Sequence, residues 1–77
     1  IEHDAVIGDQ SHLSTGTMVN GDCKIGECVF IGSQSVIANG VTVADNIIVG
    51  AGSVVRKSIS EQGIYVGNPA KLKEKSV

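Results

Sequence analysis

Ile25-Gly26-Glu27-Cys28-Val29-Phe30, Ile31-Gly32-Ser33-Gln34-Ser35-Val36 and Ile37-Ala38-Asn39-Gly40-Val41-Thr42 are three consecutive copies of one six-residue pattern. Each opens on a branched aliphatic, follows it with a small residue, and carries a small or β-branched residue in its fifth place. Steps of six in both directions collect Ile1, Ile7, Leu13, Val19, Ile25, Ile31, Ile37, Val43, Val49 and Val55, which are ten branched aliphatics in ten units. The fifth places read Ala5, Ser11, Thr17, Cys23, Val29, Ser35, Val41, Ile47, Ser53 and Ile59. No α-helix has this period, and the Gly and Asn residues interrupt the simple alternation of a plain strand.

Self-similarity at a fixed short period is the signature of a solenoid. A six-residue unit makes one short strand and one turn. Three such units close a triangular coil, with the aliphatics pointing into the prism and the coils stacked at about 4.8 Å through parallel ladders. The pattern predicts an all-β parallel β-helix over residues 1–60, ten hexads forming a little over three coils. Residues 61–77 read as a cap. In it, Gly63 to Ala70 form a short strand and turn, and Lys71 to Lys75 form a basic end.

The 77 residues suit a single domain. Phe30 and Tyr65 are the only aromatics, so small branched side chains in a regular array must fill the core. A net charge of −2 offers no footprint for nucleic acid. No apolar run approaches the roughly 18 residues of a membrane span, and no signal peptide is visible. The chain opens at Ile1, already inside the repeat, and so reads as the C-terminal part of a longer protein. An open first coil and flat prism faces favour self-assembly, with a cyclic trimer the natural arrangement. Cys23 is inward and Cys28 is at a turn, which argues against a disulfide and for a reducing cytoplasm.

The coil length is also a ruler for chemistry. Eighteen residues on from His3 stands Gly21, and eighteen further stands Asn39. A glycine there leaves its N–H open to a ligand about 5 Å from the imidazole. That pairing suits acyl transfer: a neutral imidazole takes a proton from the nucleophile, and a fixed N–H stabilises the oxyanion. Asp4 and Glu2 flank His3, and either can orient the ring. The plainer reading of His3 is an exposed polar residue at a turn. His12 stacks under Phe30 and then Ile48, which suits a ligand contact or a simple surface position. Two histidines on separate faces do not supply the three ligands of a zinc site, so no metal is expected. Gly-x-Ser-x-Gly and phosphate-loop motifs are absent. Arg56, Lys57, Lys71, Lys73 and Lys75 gather at one end, either as a solvated basic surface or as a site for the phosphates of a long cofactor.

Glu2-His3-Asp4-Ala5-Val6-Ile7-Gly8, then Ser11-His12, then Gly67-Asn68-Pro69-Ala70-Lys71, resembles the C-terminal half of the bacterial sugar acetyltransferases. These are the sialic acid O-acetyltransferase and UDP-4-amino-sugar N-acetyltransferase types. The resemblance implies a left-handed helix, against the usual right-handed rule for parallel crossovers. It implies a cytoplasmic enzyme with acetyl-CoA as co-substrate and the amine or hydroxyl of a sugar as acceptor. It also implies a homotrimer with sites between neighbouring prisms. His3 falls on the family's general base and Asp4 on its acidic partner, where relatives often carry Glu. Gly21 falls on the oxyanion donor, and His12, Ser33 and Ala51 fall on acetyl-CoA contacts. Ser33 and Ala51 stand one coil apart, and their contacts are expected through backbone. The family's N-terminal sugar-nucleotide-binding βαβ domain is absent from these residues, so poor activity is expected of them alone. Two other readings remain: a non-catalytic trimeric β-helix scaffold, and an acetyltransferase for a non-sugar acceptor such as an amino acid.

Overall fold

The structure is a computed structural model and describes residues 5–75. Nine short strands run through the repeat: β1 (Val6–Ile7), β2 (His12–Leu13), β3 (Met18–Val19), β4 (Lys24–Ile25), β5 (Phe30–Ile31), β6 (Val36–Ile37), β7 (Thr42–Val43), β8 (Ile47–Val49) and β9 (Val54–Val55). Every third strand pairs in parallel, so β1-β4-β7, β2-β5-β8 and β3-β6-β9 make the three faces of a prism. The register is the eighteen-residue step: Ile7 pairs with Ile25, His12 with Phe30 and Val19 with Ile37. This is the β-helix expected from the repeat, with no helix among the described residues and none long and apolar enough to cross a membrane.

The first place of each hexad fills the core. Val19, Ile25, Ile31, Ile37, Val43, Val49 and Val55 are all buried. The fifth place joins them, with Cys23, Val29, Ser35, Val41, Ile47 and Ser53 buried as well. Two buried serines are tolerated because each hydroxyl is used: Ser35 Oγ donates to Gly50 O at 2.9 Å and accepts from Ser53 N at 3.2 Å. Ser53 Oγ in turn accepts from Gly67 N at 3.1 Å. Ile7 and Leu13, in the lowest coil, are only half-buried.

The fourth place turns each corner in the left-handed region. Gln10, Asp22, Cys28, Gln34 and Asn46 lie at φ between 57° and 60°, and Gly16, Gly40 and Gly52 lie between 69° and 76°. Short polar residues and glycine tolerate this conformation best, which accounts for the polar, aliphatic-free fourth place.

The ruler slips in the last coil. Val43 pairs with Ile59, and Ile47 with Gly63, a step of sixteen residues instead of eighteen. Ile59 therefore takes the place of a first-position aliphatic, two residues earlier than the hexad count puts one. After it, β10 (Gly63–Val66) lies parallel on β8, and β11 (Lys71–Lys75) returns antiparallel on β10. The stretch read from sequence as a basic end is a strand. Lys71 and Lys73 are exposed on the edge of the five-stranded face, and such charge guards an edge against further pairing.

Candidate active site

Each face ends in a column of turns, so the prism has three corners. The first carries Asp9, Glu27 and Asp45 after β1, β4 and β7; the second carries Thr15, Ser33 and Ala51 after β2, β5 and β8. The third follows β3, β6 and β9 and carries Gly21, Asn39 and then Arg56-Lys57. These third-place residues share one property: their N–H groups lie outside the ladder. Ladder bonds run instead through the turn residue that follows, as in Gly40 N to Gly21 O at 3.0 Å and Gly52 N to Ser33 O at 2.9 Å.

The corners differ in what occupies those open donors. At the first corner, Glu27 N donates to Asp45 Oδ1 at 2.8 Å. A carboxylate from the coil above has closed that donor. The N–H groups of Gly21, Asn39, Ser33 and Ala51 have no hydrogen-bond partner among the described residues. The second and third corners therefore present backbone donors to solvent, spaced by about one coil step of 4.8 Å.

Gly21 is held firmly. Its own carbonyl accepts from Gly40 N, and the residue before it is tied down twice, since Asn20 N and Asn20 Nδ2 both donate to Ile37 O at 3.1 and 3.0 Å. A donor fixed before the reaction begins is what oxyanion stabilisation requires. Asn20 has no signature in the repeat, and only the seventeen-residue reach of its side chain to Ile37 reveals its role. His3 and Asp4, the expected base and its partner, lie outside the described residues.

His12 stands exposed on the second face, where its ring stacks on Phe30 with centroids 5.3 Å apart and planes 13° apart. The column continues through Ile48 to Ile64, leaving an outward apolar strip. Ser33 and Ala51 are both exposed on the second corner, one above the other. The structure brings these two together but leaves Gly21 a full face away, on the third corner. Above Gly21 and Asn39, a cleft of about 550 Å³ is lined by Arg56, Lys57, Pro69, Ala70 and Lys71. The hairpin carries Lys71 back to the pair after β9, so three cations converge where the sequence showed only a basic end. Among the described residues no group of three His, Cys, Asp or Glu side chains can hold a metal ion.

A model of the bacterial transferase hexapeptide, six repeats long, matches residues 22–57. The chain is a hexapeptide-repeat β-helix. A perosamine N-acetyltransferase variant from Caulobacter crescentus, in complex with CoA and GDP-perosamine, superposes with a TM-score of 0.93 at 32% identity, over 97% of this chain and 36% of that one. The acetyltransferase domain of PglB from Neisseria gonorrhoeae FA1090, in complex with acetyl coenzyme A, superposes at 0.91 with 32% identity, over 94% and 35%. A chloramphenicol acetyltransferase of Agrobacterium fabrum is 39% identical over 60 residues, which is 78% of this chain and 29% of that protein. The resemblance to the sugar acetyltransferases thus holds in sequence and in fold. The hexapeptide β-helix spans about a third of the length of these relatives.

Proposed function

We propose that this chain carries the donor half of an acetyltransferase. The enzyme moves the acetyl group of acetyl-CoA to an amine or hydroxyl of a sugar, in nucleotide-activated form. The observation that carries the reading is the N–H of Gly21, which has no hydrogen-bond partner among the described residues and follows the doubly anchored Asn20, in a fold shared with relatives described with CoA or acetyl-CoA bound. In this reading His3, eighteen residues before Gly21 in the sequence, takes the proton of the acceptor as its nitrogen or oxygen attacks the thioester carbon. Asp4 orients the imidazole. Gly21 N–H holds the tetrahedral oxyanion. Collapse breaks the C–S bond, the imidazolium protonates the departing thiolate, and no covalent enzyme intermediate forms.

Ser33 and Ala51 offer their N–H groups to the amides of the cofactor arm, with His12 beside them. They and Gly21 occupy different corners, so one prism cannot turn both sets of backbone donors toward one cofactor. A neighbouring copy supplies the second corner, and a homotrimer closes the arrangement. The exposed strip of Phe30 and Ile48 supports such packing. The cleft of Arg56, Lys57 and Lys71 suits the cofactor's phosphates. The free thiols of Cys23 and Cys28 fit a reducing cytoplasm.

The test is His3→Ala in the protein assayed with acetyl-CoA and an amino-sugar nucleotide. A loss of roughly two to four orders of magnitude in turnover is expected for a general base; turnover within about threefold of wild type removes the assignment. The identity to a chloramphenicol acetyltransferase favours a second reading, the same chemistry on a non-sugar hydroxyl. An acceptor panel holding both classes separates the two. Calorimetry addresses the scaffold alternative, which predicts no saturable binding of acetyl-CoA.

A further inference from the structure

Asn39 stands eighteen residues above Gly21 on the third corner, and the two turns are locked together by the bond from Gly40 N to Gly21 O at 3.0 Å. Its side chain is exposed and has no hydrogen-bond partner among the described residues. The same register on the first corner is occupied by Asp45 above Glu27, where the upper side chain reaches down to within 2.8 Å of the lower N–H. A side chain in the position of Asn39 therefore governs what approaches the open donor beneath it. Aspartate at this register closes the donor. Asparagine carries both a donor and an acceptor, the complement of an amide.

Resting on the acetyl-CoA reading above, we propose that Asn39 is the residue that positions the donor's arm through the amide nearest the thioester. The amide nitrogen lies four bonds from the thioester carbon, about 5 Å when extended, close to the coil step of about 4.8 Å that separates Asn39 from Gly21. With the thioester oxygen on Gly21 N–H, the arm runs up the corner. Asn39 Oδ1 accepts the amide N–H. The corner then continues to the cationic cleft of Arg56 and Lys57. The arm is held in line from its reacting end upward, which sets the angle of the thioester against His3.

The experiment is calorimetry on the protein with two ligands: acetyl-CoA, and an analogue whose amide N–H nearest sulfur is replaced by an ester oxygen. Wild type is expected to prefer the amide about five- to tenfold, the worth of one well-made hydrogen bond. Asn39→Ala abolishes that preference and leaves binding of the ester analogue within about twofold. Asn39→Asp weakens both ligands alike, since its carboxylate closes Gly21 N–H as Asp45 closes Glu27 N–H. An unchanged amide preference in Asn39→Ala, or unweakened binding in Asn39→Asp, overturns this inference and leaves the acetyl-CoA reading intact. Failure of wild type to bind acetyl-CoA overturns both. Asn39 is exposed and its side chain has no partner among the described residues, so both variants are expected to fold, and circular dichroism checks it.

Discussion

Asn20 gives two hydrogen bonds to one acceptor: its backbone N–H and its Nδ2 both donate to the carbonyl of Ile37, at 3.1 and 3.0 Å. Both bonds anchor Asn20, the residue just before the peptide that bears Gly21 N–H, to the coil above. Asn20→Ala removes one of the two bonds and lets that peptide rock. Turnover is expected to fall about tenfold, a fraction of the 10²–10³ lost when an oxyanion donor is removed outright. KM for acetyl-CoA stays within about twofold, because the donor matters most once charge has developed. Steady-state kinetics separates the two parameters. A raised KM at unchanged kcat contradicts the positioning role.

Ser35 carries a different load. Its buried hydroxyl connects Gly50 O to Ser53 N, and Ser53 continues to Gly67 N in the cap. Ser35→Ala strands a buried acceptor and a buried donor together. The expected loss is about 1–3 kcal/mol of stability, read from the urea midpoint at constant slope. Loss beyond this range would point to undocking of the hairpin.

How much of this was legible beforehand depends on which residues repeat. Ile31, Val49 and their equivalents declare the prism because a core position recurs every six residues. The stacking of His12 under Phe30 follows from the same count. The two-residue shortening before Ile59 was hidden because Ile59 fits either of two inward places, and only pairing with Val43 decides between them. Lys71 to Lys75 read as a charge run because Lys71, Leu72 and Lys73 are all exposed and give no buried alternation to betray a strand. Asn20 and Asn39 were silent as well. Their meaning lies in which backbone groups the coil above satisfies or leaves open, and no local pattern encodes that.

Gly32 and Gly40 give a matched pair of Gly→Ala substitutions. A Cβ on Gly32 would lie 2.5 Å from Ala51 N and 2.7 Å from Ala51 Cα, all rigid backbone. A Cβ on Gly40 meets nothing within 4 Å, but the residue sits at φ +76°. Gly32→Ala is expected to cost about 1–3 kcal/mol through overpacking and to weaken acetyl-CoA binding by displacing Ala51 N–H. Gly40→Ala costs about 1–2 kcal/mol of left-handed strain and leaves Ala51 alone. Thermal melts check both costs and calorimetry on Gly32→Ala checks the binding loss; unchanged acetyl-CoA binding in Gly32→Ala would refute the link to Ala51.

Tyr65 predicts the alkaline limit of the fold. Burial raises its phenol above the ordinary value of 10.0, and the nearby Glu61 charge adds to the shift. Its hydroxyl donates to Glu61 O at 2.8 Å. Above about pH 10 the unfolded chain gives up this proton more readily than the folded one, so the unfolded state binds fewer protons and stability falls as pH rises. The contribution is complete below pH 10 and is lost through the range above it. Tyr65→Phe is expected to be less stable at neutral pH by about 1 kcal/mol, the worth of one hydrogen bond, with a flatter decline from pH 9.5 to 11. Parallel slopes in that window would rule out Tyr65 as the titrating group.

The two thiols should react on separate timescales. Cys28 is exposed at a left-handed turn with φ 57°, its Sγ 3.5 Å from Gln10 Oε1. Cys23 is fully buried, and its Sγ donates to Ala38 O at 2.9 Å. Reagent reaches Cys23 only when the coil opens, because its sulfur packs between stacked turns. Titration with a chromogenic disulfide at pH 8 should release one equivalent promptly, and the second only at the rate of opening or after denaturant is added. Cys28→Ser should abolish the prompt phase and leave the slow one. Two prompt equivalents from the folded protein would show that the third-corner turn at Cys23 opens freely. The rigid Gly21 donor, two residues before Cys23 on that corner, would then lose its physical basis.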